Sequence, residues 1–412
     1  SPTDVPGTWI VAPGKATRGY MIPRTRFLMC SRALVAAYVA VACSDSPSEV
    51  VEPEPIALDS VRVTTSVRWN QRAVALVVAR PPATNGQAAV SRILTYLSLA
   101  QYRAVLAAEA LKQQVKPPSV AAAVGGASVA VLNSFFPLDV AANEGQLNGD
   151  LAVPPWPATR NEDVVAGEAI GRKVGADVLA FARSDNYLAI ALPALPVGSG
   201  YWVSAAAPIV RSLYGARPFF MTDPGELRSP PPPAFGSPEY MSALTEVRAI
   251  SDKRTPAELA IAQFWNTSSG PFTAGALNLI ADDVIREQRR SESEAARILA
   301  FANAAAFDAQ IACFDTKFTY WFIRPSQADP AISLPIGLPN HPSYPSAHSC
   351  ITGAIMTVLV DAFPSERSRL EGIIEEAGMS RVYGGIHYRF DILVGREIGR
   401  AAAALALKGS LK

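Results

Sequence analysis

Apolar residues recur at helical spacing over most of the chain, and strand-like alternation is scarce. From about Val63 the pattern is helical: Trp69 to Ala79, then Gln87 to Gln114, where Leu94, Leu97, Leu99, Leu106 and Leu111 are set among alanines. Pro117-Pro118 separates this run from an Ala- and Val-rich helix ending near Pro137, and a further helix is expected over about Asn161 to Arg183. Residues 188–238 break the pattern. Pro193, Pro196, Gly198, Gly200, Pro208, Pro218, Pro224 and the run Pro230 to Pro233 exclude a long helix, because proline lacks the N–H that a helix interior needs. Tyr201, Trp202, Tyr214, Phe219 and Phe220 need cover from water, so this segment is expected to wrap, extended and irregular, over a helical core.

Helix starts are legible further on. Thr255-Pro256-Ala257-Glu258 supplies an N-cap threonine, proline at the first helical position and a glutamate that can close a capping box. Ser291 and Glu294 repeat the device ahead of Ala295 to Phe314. The expected fold class is all-α, one bundle of roughly ten helices over residues 63–412, with no repeat of fixed period.

Composition narrows the function classes. The 412 residues are 49% hydrophobic and 18% charged, with 37 basic against 36 acidic side chains, which gives no field to attract nucleic acid. The N-terminal region reads as an export signal: Met21 to Arg26 is basic, Ala33 to Ala42 is apolar, and Ala40-Val41-Ala42-Cys43 resembles the end of a bacterial lipoprotein signal, with Cys43 as the lipidated residue. On that reading residues 1–20 precede the true start, 21–43 are signal and 44–62, rich in Ser, Pro and Glu, are a tether; the expected location is the periplasm or an outer-membrane anchor. No later stretch reaches about 18 uncharged apolar residues in a row. Of the four cysteines, Cys313 and Cys350 lie outside the signal. An oxidising compartment would permit a disulfide between them, while their apolar surroundings favour buried free thiols.

Candidate chemistry is concentrated between residues 317 and 391. Lys317 and Arg324 are seven apart, two turns on one face if a single helix carries both; His387 and Asp391 are four apart, one turn. A tetrahedral oxyanion needs donors that keep their protons at neutral pH, and Lys317, Arg324 and Arg381 qualify. Ser346 adds a hydroxyl where a helix is expected to begin after Pro345, and the N–H of Ala347 belongs to the anion-binding end of that helix. His387, oriented by Asp391, is placed to be a nucleophile or a metal ligand, and His348 a general acid and base. Gly384-Gly385 lets the backbone turn between Arg381 and His387.

Together, Lys317-x6-Arg324-Pro325, Pro345-Ser346-Ala347-His348 and Ser380-Arg381-x5-His387-x3-Asp391 resemble the tripartite signature of the type 2 phosphatidic acid phosphatase and vanadium haloperoxidase superfamily. The likeness to the haloperoxidase-like branch extends through Tyr240 to Thr255, Ala262 to Trp265, Phe307 to Ala309, His341 to Tyr344 and Val382 to Asp391. It implies a helical bundle holding vanadate through Lys317, Arg324, Ser346, the N–H of Ala347, and Arg381, with His387 as the bond to vanadium, His348 as acid and base and Lys317 polarising bound peroxide. The implied reaction is oxidation of a halide by hydrogen peroxide to hypohalous acid. The alternative is an exported acid phosphatase that acts on phosphate monoesters through a phosphohistidine at His387 and needs no vanadate. Two positions depart from the family pattern: Ala347 replaces the usual glycine and brings a methyl group into a tight turn, and Phe314 stands where tryptophan is common. His341 occupies a place where some bromide-oxidising relatives carry histidine, so His341 and Phe314 form a possible halide pocket favouring bromide or iodide; a loop histidine facing solvent is the other reading.

Overall fold

The computed structural model describes residues 63–152, 162–267 and 270–411. They belong to one unit, residues 60–412. The expected extension, signal and tether at 1–20, 21–43 and 44–62 lie outside the described residues.

The chain forms α1 (Thr65–Ala79), α2 (Gly86–Glu109), α3 (Val120–Phe135), α4 (Val140–Ala152), α5 (Val164–Ala182), α6 (Pro238–Lys253), α7 (Pro256–Phe264), α8 (Phe272–Glu287), α9 (Glu292–Tyr320), the single turn α10 (Pro325–Ala328), α11 (Ala347–Ala362), α12 (Arg367–Tyr383) and α13 (Arg389–Lys408). Among the described residues the β contacts outside helices are two isolated bridges, Pro118 with Asp163 and Tyr201 with Phe322. The all-α expectation is met. Both capping boxes form: Thr255 and Glu258 open α7, Ser291 and Glu294 open α9.

The organising element is α9. It packs against α2, α11, α13, α8 and α1. Its residues from Ile298 to Phe318 are buried on every side, as expected for a helix that is apolar around most of its circumference. It is the one described helix long and apolar enough to cross a membrane, and the bundle encloses it. It runs six residues past the expected Phe314, which carries Lys317 to its C-terminal end. At its other end the Glu292 carboxylate accepts the N–H groups of Thr65 (2.6 Å) and Ser66 (2.8 Å), satisfying the open end of α1.

Residues 188–237 contain no helix and lie over this core, and α6 begins at Pro238. Trp202, Leu213, Ala216 and Met221 are buried, whereas Tyr201 is 41% exposed. A buried carboxylate fastens the segment: Asp308 on α9 accepts the N–H groups of Phe219 (2.8 Å), Phe220 (2.7 Å) and Met221 (3.2 Å). Burial pushes this carboxyl up to about 6 against the pull of those three donors.

Helices α11 and α13 cross at contact distance. A Cβ on Gly399 would stand 2.4 Å from the carbonyl oxygen of Cys350, so a side chain there would force the two helices apart. That crossing sets the start of α11 against the start of α13, where Ser346 donates its N–H to the Asp391 carbonyl (2.9 Å).

Candidate active site

Lys317 and Arg324 do not share a helix, contrary to the seven-residue spacing. The chain leaves α9 at Trp321, whose left-handed φ of 49° ends the helix, and continues extended through Phe322 and Ile323. The irregular segment holds that exit: Trp202 donates its N–H to the Trp321 carbonyl (2.7 Å), and Ile323 donates to Gly200 (3.0 Å). Arg324 is therefore the N-cap of α10, and its side chain returns to the same place as Lys317 by chain reversal.

His387 and Asp391 likewise do not share a helix. Tyr388 is the N-cap of α13, so Asp391 lies in the first turn and His387 precedes it. The pair still meets, with Nδ1 2.7 Å from Oδ2 of Asp391. That oxygen also accepts the Ser343 hydroxyl (2.6 Å) and the Tyr388 N–H (3.2 Å). Gly385, at φ 72°, makes the turn before His387, as expected of the glycine pair.

A carboxylate only accepts, so Nδ1 of His387 carries the proton and its lone pair is on Nε2. Nη1 of Arg324 stands 3.1 Å from that Nε2 and donates to the Ile386 carbonyl (2.7 Å). Burial, then Arg324 and Lys317, hold His387 well below the ordinary histidine range. It is a neutral imidazole with a directed lone pair.

The cations are withdrawn from solvent: Lys317 and Arg324 are fully buried and Arg381 is 2% exposed. Nζ of Lys317 donates to the carbonyls of Pro342 (2.9 Å), Ser343 (2.7 Å) and Pro345. Arg381, on α12, donates to Ala262 O (3.1 Å) and to the Ser380 hydroxyl (2.9 Å). Burial pulls Lys317 down to about 8, Arg324 to about 10 and Arg381 to about 9, and all three remain charged at neutral pH. Asp391 is the one carboxylate in the group, raised by burial to about 6. Three cations thus face one anion beside neutral histidines, an excess of positive charge that burial makes costly.

Ser346 is the N-cap of α11, its hydroxyl accepting from Ser349 (3.4 Å), and Ala347 is the first helical residue. The first-turn N–H groups have no acceptor within their own helix, so that of Ala347 is a ready anion donor despite the methyl group. His348, also in this turn and partly buried, places Nε2 2.9 Å from Oγ1 of Thr273 and 3.1 Å from the Trp265 carbonyl. Burial and the nearby Arg381 hold it well below the ordinary range.

His341 does not face solvent. It is 8% exposed, packs edge to face on Phe314 at 5.1 Å between ring centroids, and presents Nδ1 to Nη2 of Arg324 and to the Pro342 carbonyl, each at 3.1 Å. Nζ of Lys317 lies 5.9 Å from the Phe314 ring centroid. Cys313 and Cys350 are free and buried behind the cage, so the disulfide alternative is not realised. Ser343, Thr273 and Trp265 complete the contacts. Thr273 has no local signal in the sequence, because its partner is 75 residues away.

Residues 296–412, which include every motif residue, match the model of the PAP2 superfamily. No curated protein matches the chain at a significant level. Among solved structures, a bacterial vanadium-dependent iodoperoxidase superimposes with TM-score 0.71 at 22% identity, covering 84% of this chain and 97% of that one. A bacterial vanadium-dependent chloroperoxidase superimposes in its apo form with TM-score 0.61 at 15% identity, covering 80% of this chain and 93% of that one, and in its holo form with 0.62, 14%, 81% and 93%. The superfamily and fold expected from the three motifs are those found.

Proposed function

From a chain of the PAP2 superfamily with the fold of the vanadium haloperoxidases, we propose a vanadate-dependent haloperoxidase that oxidises iodide or bromide with hydrogen peroxide. The observation that carries this reading is the buried excess of positive charge around the Nε2 lone pair of His387. The donor set fits a tetrahedral oxyanion: two guanidinium forks, one ammonium, a hydroxyl and a helix-start N–H, with one uncharged nitrogen aimed among them.

In this reading Lys317, Arg324 and Arg381 balance the charge of vanadate, Ser346 and the N–H of Ala347 donate to its oxygens, and Nε2 of His387 supplies the protein's bond to vanadium. Vanadium, when bound, supplies a Lewis acid that activates peroxide towards attack by halide. Asp391 keeps the proton on Nδ1 of His387 and so keeps Nε2 free. His348, neutral at rest, takes up and returns the proton that peroxide loses. Phe314 and His341 offer an apolar edge and a polarised ring beside Lys317, a setting suited to a large, weakly hydrated halide. Export through residues 21–43 with a lipid on Cys43 belongs to the same proposal, and mass spectrometry of the mature N-terminus tests it.

The same cage accommodates a phosphate monoester, with Nε2 of His387 attacking phosphorus. A paired assay on protein from residue 44 onward separates the two. Vanadate-dependent bromination or iodide oxidation that disappears in His387→Ala supports the peroxidase. Hydrolysis of para-nitrophenyl phosphate that vanadate inhibits, without halide oxidation, replaces it with the phosphatase.

A further inference from the structure

We propose that Thr273, together with the main-chain carbonyl of Trp265, is the positioning residue that fixes the tautomer and ring orientation of His348. The inference rests on the proton-transfer role given to His348 above, but its geometry is independent of the halide or phosphate reading.

Nε2 of His348 has two neighbours, Oγ1 of Thr273 at 2.9 Å and the Trp265 carbonyl at 3.1 Å. A carbonyl cannot donate, so Nε2 carries the hydrogen and the Thr273 oxygen is its second acceptor. The lone pair, and with it the capacity to take a proton, is left on Nδ1. A protonated ring would keep both acceptors on the same N–H, so proton uptake needs no rearrangement on this side.

Both partners are held from outside the helix that carries His348. Trp265, the C-cap of α7, is 1% exposed and donates Nε1–H to Glu376 (3.0 Å). Thr273 is 1% exposed and donates its N–H to Gln87 (2.9 Å). Immediately before it, Phe272 adopts φ 56°, a left-handed conformation that a bulky residue rarely takes. Its ring lies against Gly86, where a Cβ would stand 2.5 Å from ring atoms. Packing therefore holds a strained residue in place, and the strain sets the next hydroxyl under His348.

The test uses the full chain labelled with 15N-histidine; it has three histidines, and His348→Gln assigns the signal in question. The expected wild-type spectrum has His348 protonated at Nε2 and bare at Nδ1. In Thr273→Val, which keeps the volume, the Nε2 proton resonance moves upfield and exchanges at least about tenfold faster, while kcat falls about tenfold with KM nearly unchanged. Thr273→Ser restores both. A wild-type ring protonated at Nδ1, or a Thr273→Val protein with unaltered spectrum and kcat, overturns the proposal. If the wild type oxidises no halide and hydrolyses no phosphate ester, the proposed function fails while the nitrogen spectra still decide the role of Thr273.

Discussion

Nδ1 of His387 lies 2.7 Å from Oδ2 of Asp391, although the two residues do not share a helix. The same oxygen gathers Ser343 and the Tyr388 N–H, so one carboxylate fixes the tautomer of His387 and the turn that presents it. Asp391→Asn puts a possible donor where three donors converge. Vanadate affinity, followed by titration calorimetry, is expected to fall about 10- to 100-fold.

Charge balance makes a second prediction. If the cage is built for an anion, orthovanadate or phosphate at about a hundred times its Kd raises unfolding free energy by about 2.7 kcal/mol, read as a rise in Tm. Arg324→Ala removes that rise. An equal anion-dependent gain in the variant would mean the anion binds elsewhere.

Asp308 is the clasp between α9 and residues 219–221. Asp308→Ala leaves three N–H groups without their acceptor and is expected to cost about 3 kcal/mol. Urea unfolding measures the cost, and hydrogen exchange should quicken first at Phe219, Phe220 and Met221.

At the α11–α13 crossing, Gly399→Ala brings a methyl group against the Cys350 carbonyl. Overpacking is expected to cost about 1 to 3 kcal/mol in urea unfolding. Anion affinity falls as well, because the crossing sets Ser346 against Asp391.

The buried histidines make a contribution to stability that falls as pH drops through about 6.5. His341, His348 and His387 are all held well below the ordinary histidine range, chiefly by burial, so the unfolded chain takes up protons there that the folded chain does not. Each histidine contributes up to about 1.4 kcal/mol per pH unit to the loss. Asp282, raised well above the ordinary carboxyl range by burial, and Asp308 and Asp391, raised to about 6, act in the opposite sense: the cost of these carboxyls is relieved as pH falls towards 4. The histidine share is read by difference: His348→Gln removes one of the three sites, so its Tm should fall less than that of the wild type between pH 7 and 5.5, and an unchanged slope would contradict the assignment.

Helices and their starts were legible because a helix is decided within a few residues. The boxes at Thr255 and Ser291 and the proline content of residues 188–238 each act over three or four positions, and each appears as expected. The residue types of the cage were equally plain, since an oxyanion demands cations, a hydroxyl and an imidazole whatever the backbone does.

How those residues meet was not legible. Spacing put Lys317 and Arg324 on one helix, but Trp321 ends that helix and the two side chains meet through a chain reversal pinned by Trp202 and Gly200. Spacing alone left His341 between solvent and pocket; packing on Phe314 decided it. The sequence by itself determined the helical fold class and the chemistry on offer, because both follow from local hydrogen bonding and side-chain type. Only the tertiary structure decided the reversal after α9, the three-way acceptor at Asp391 and the approach of Thr273 to His348, because each joins groups whose separation along the chain carries no periodic signal.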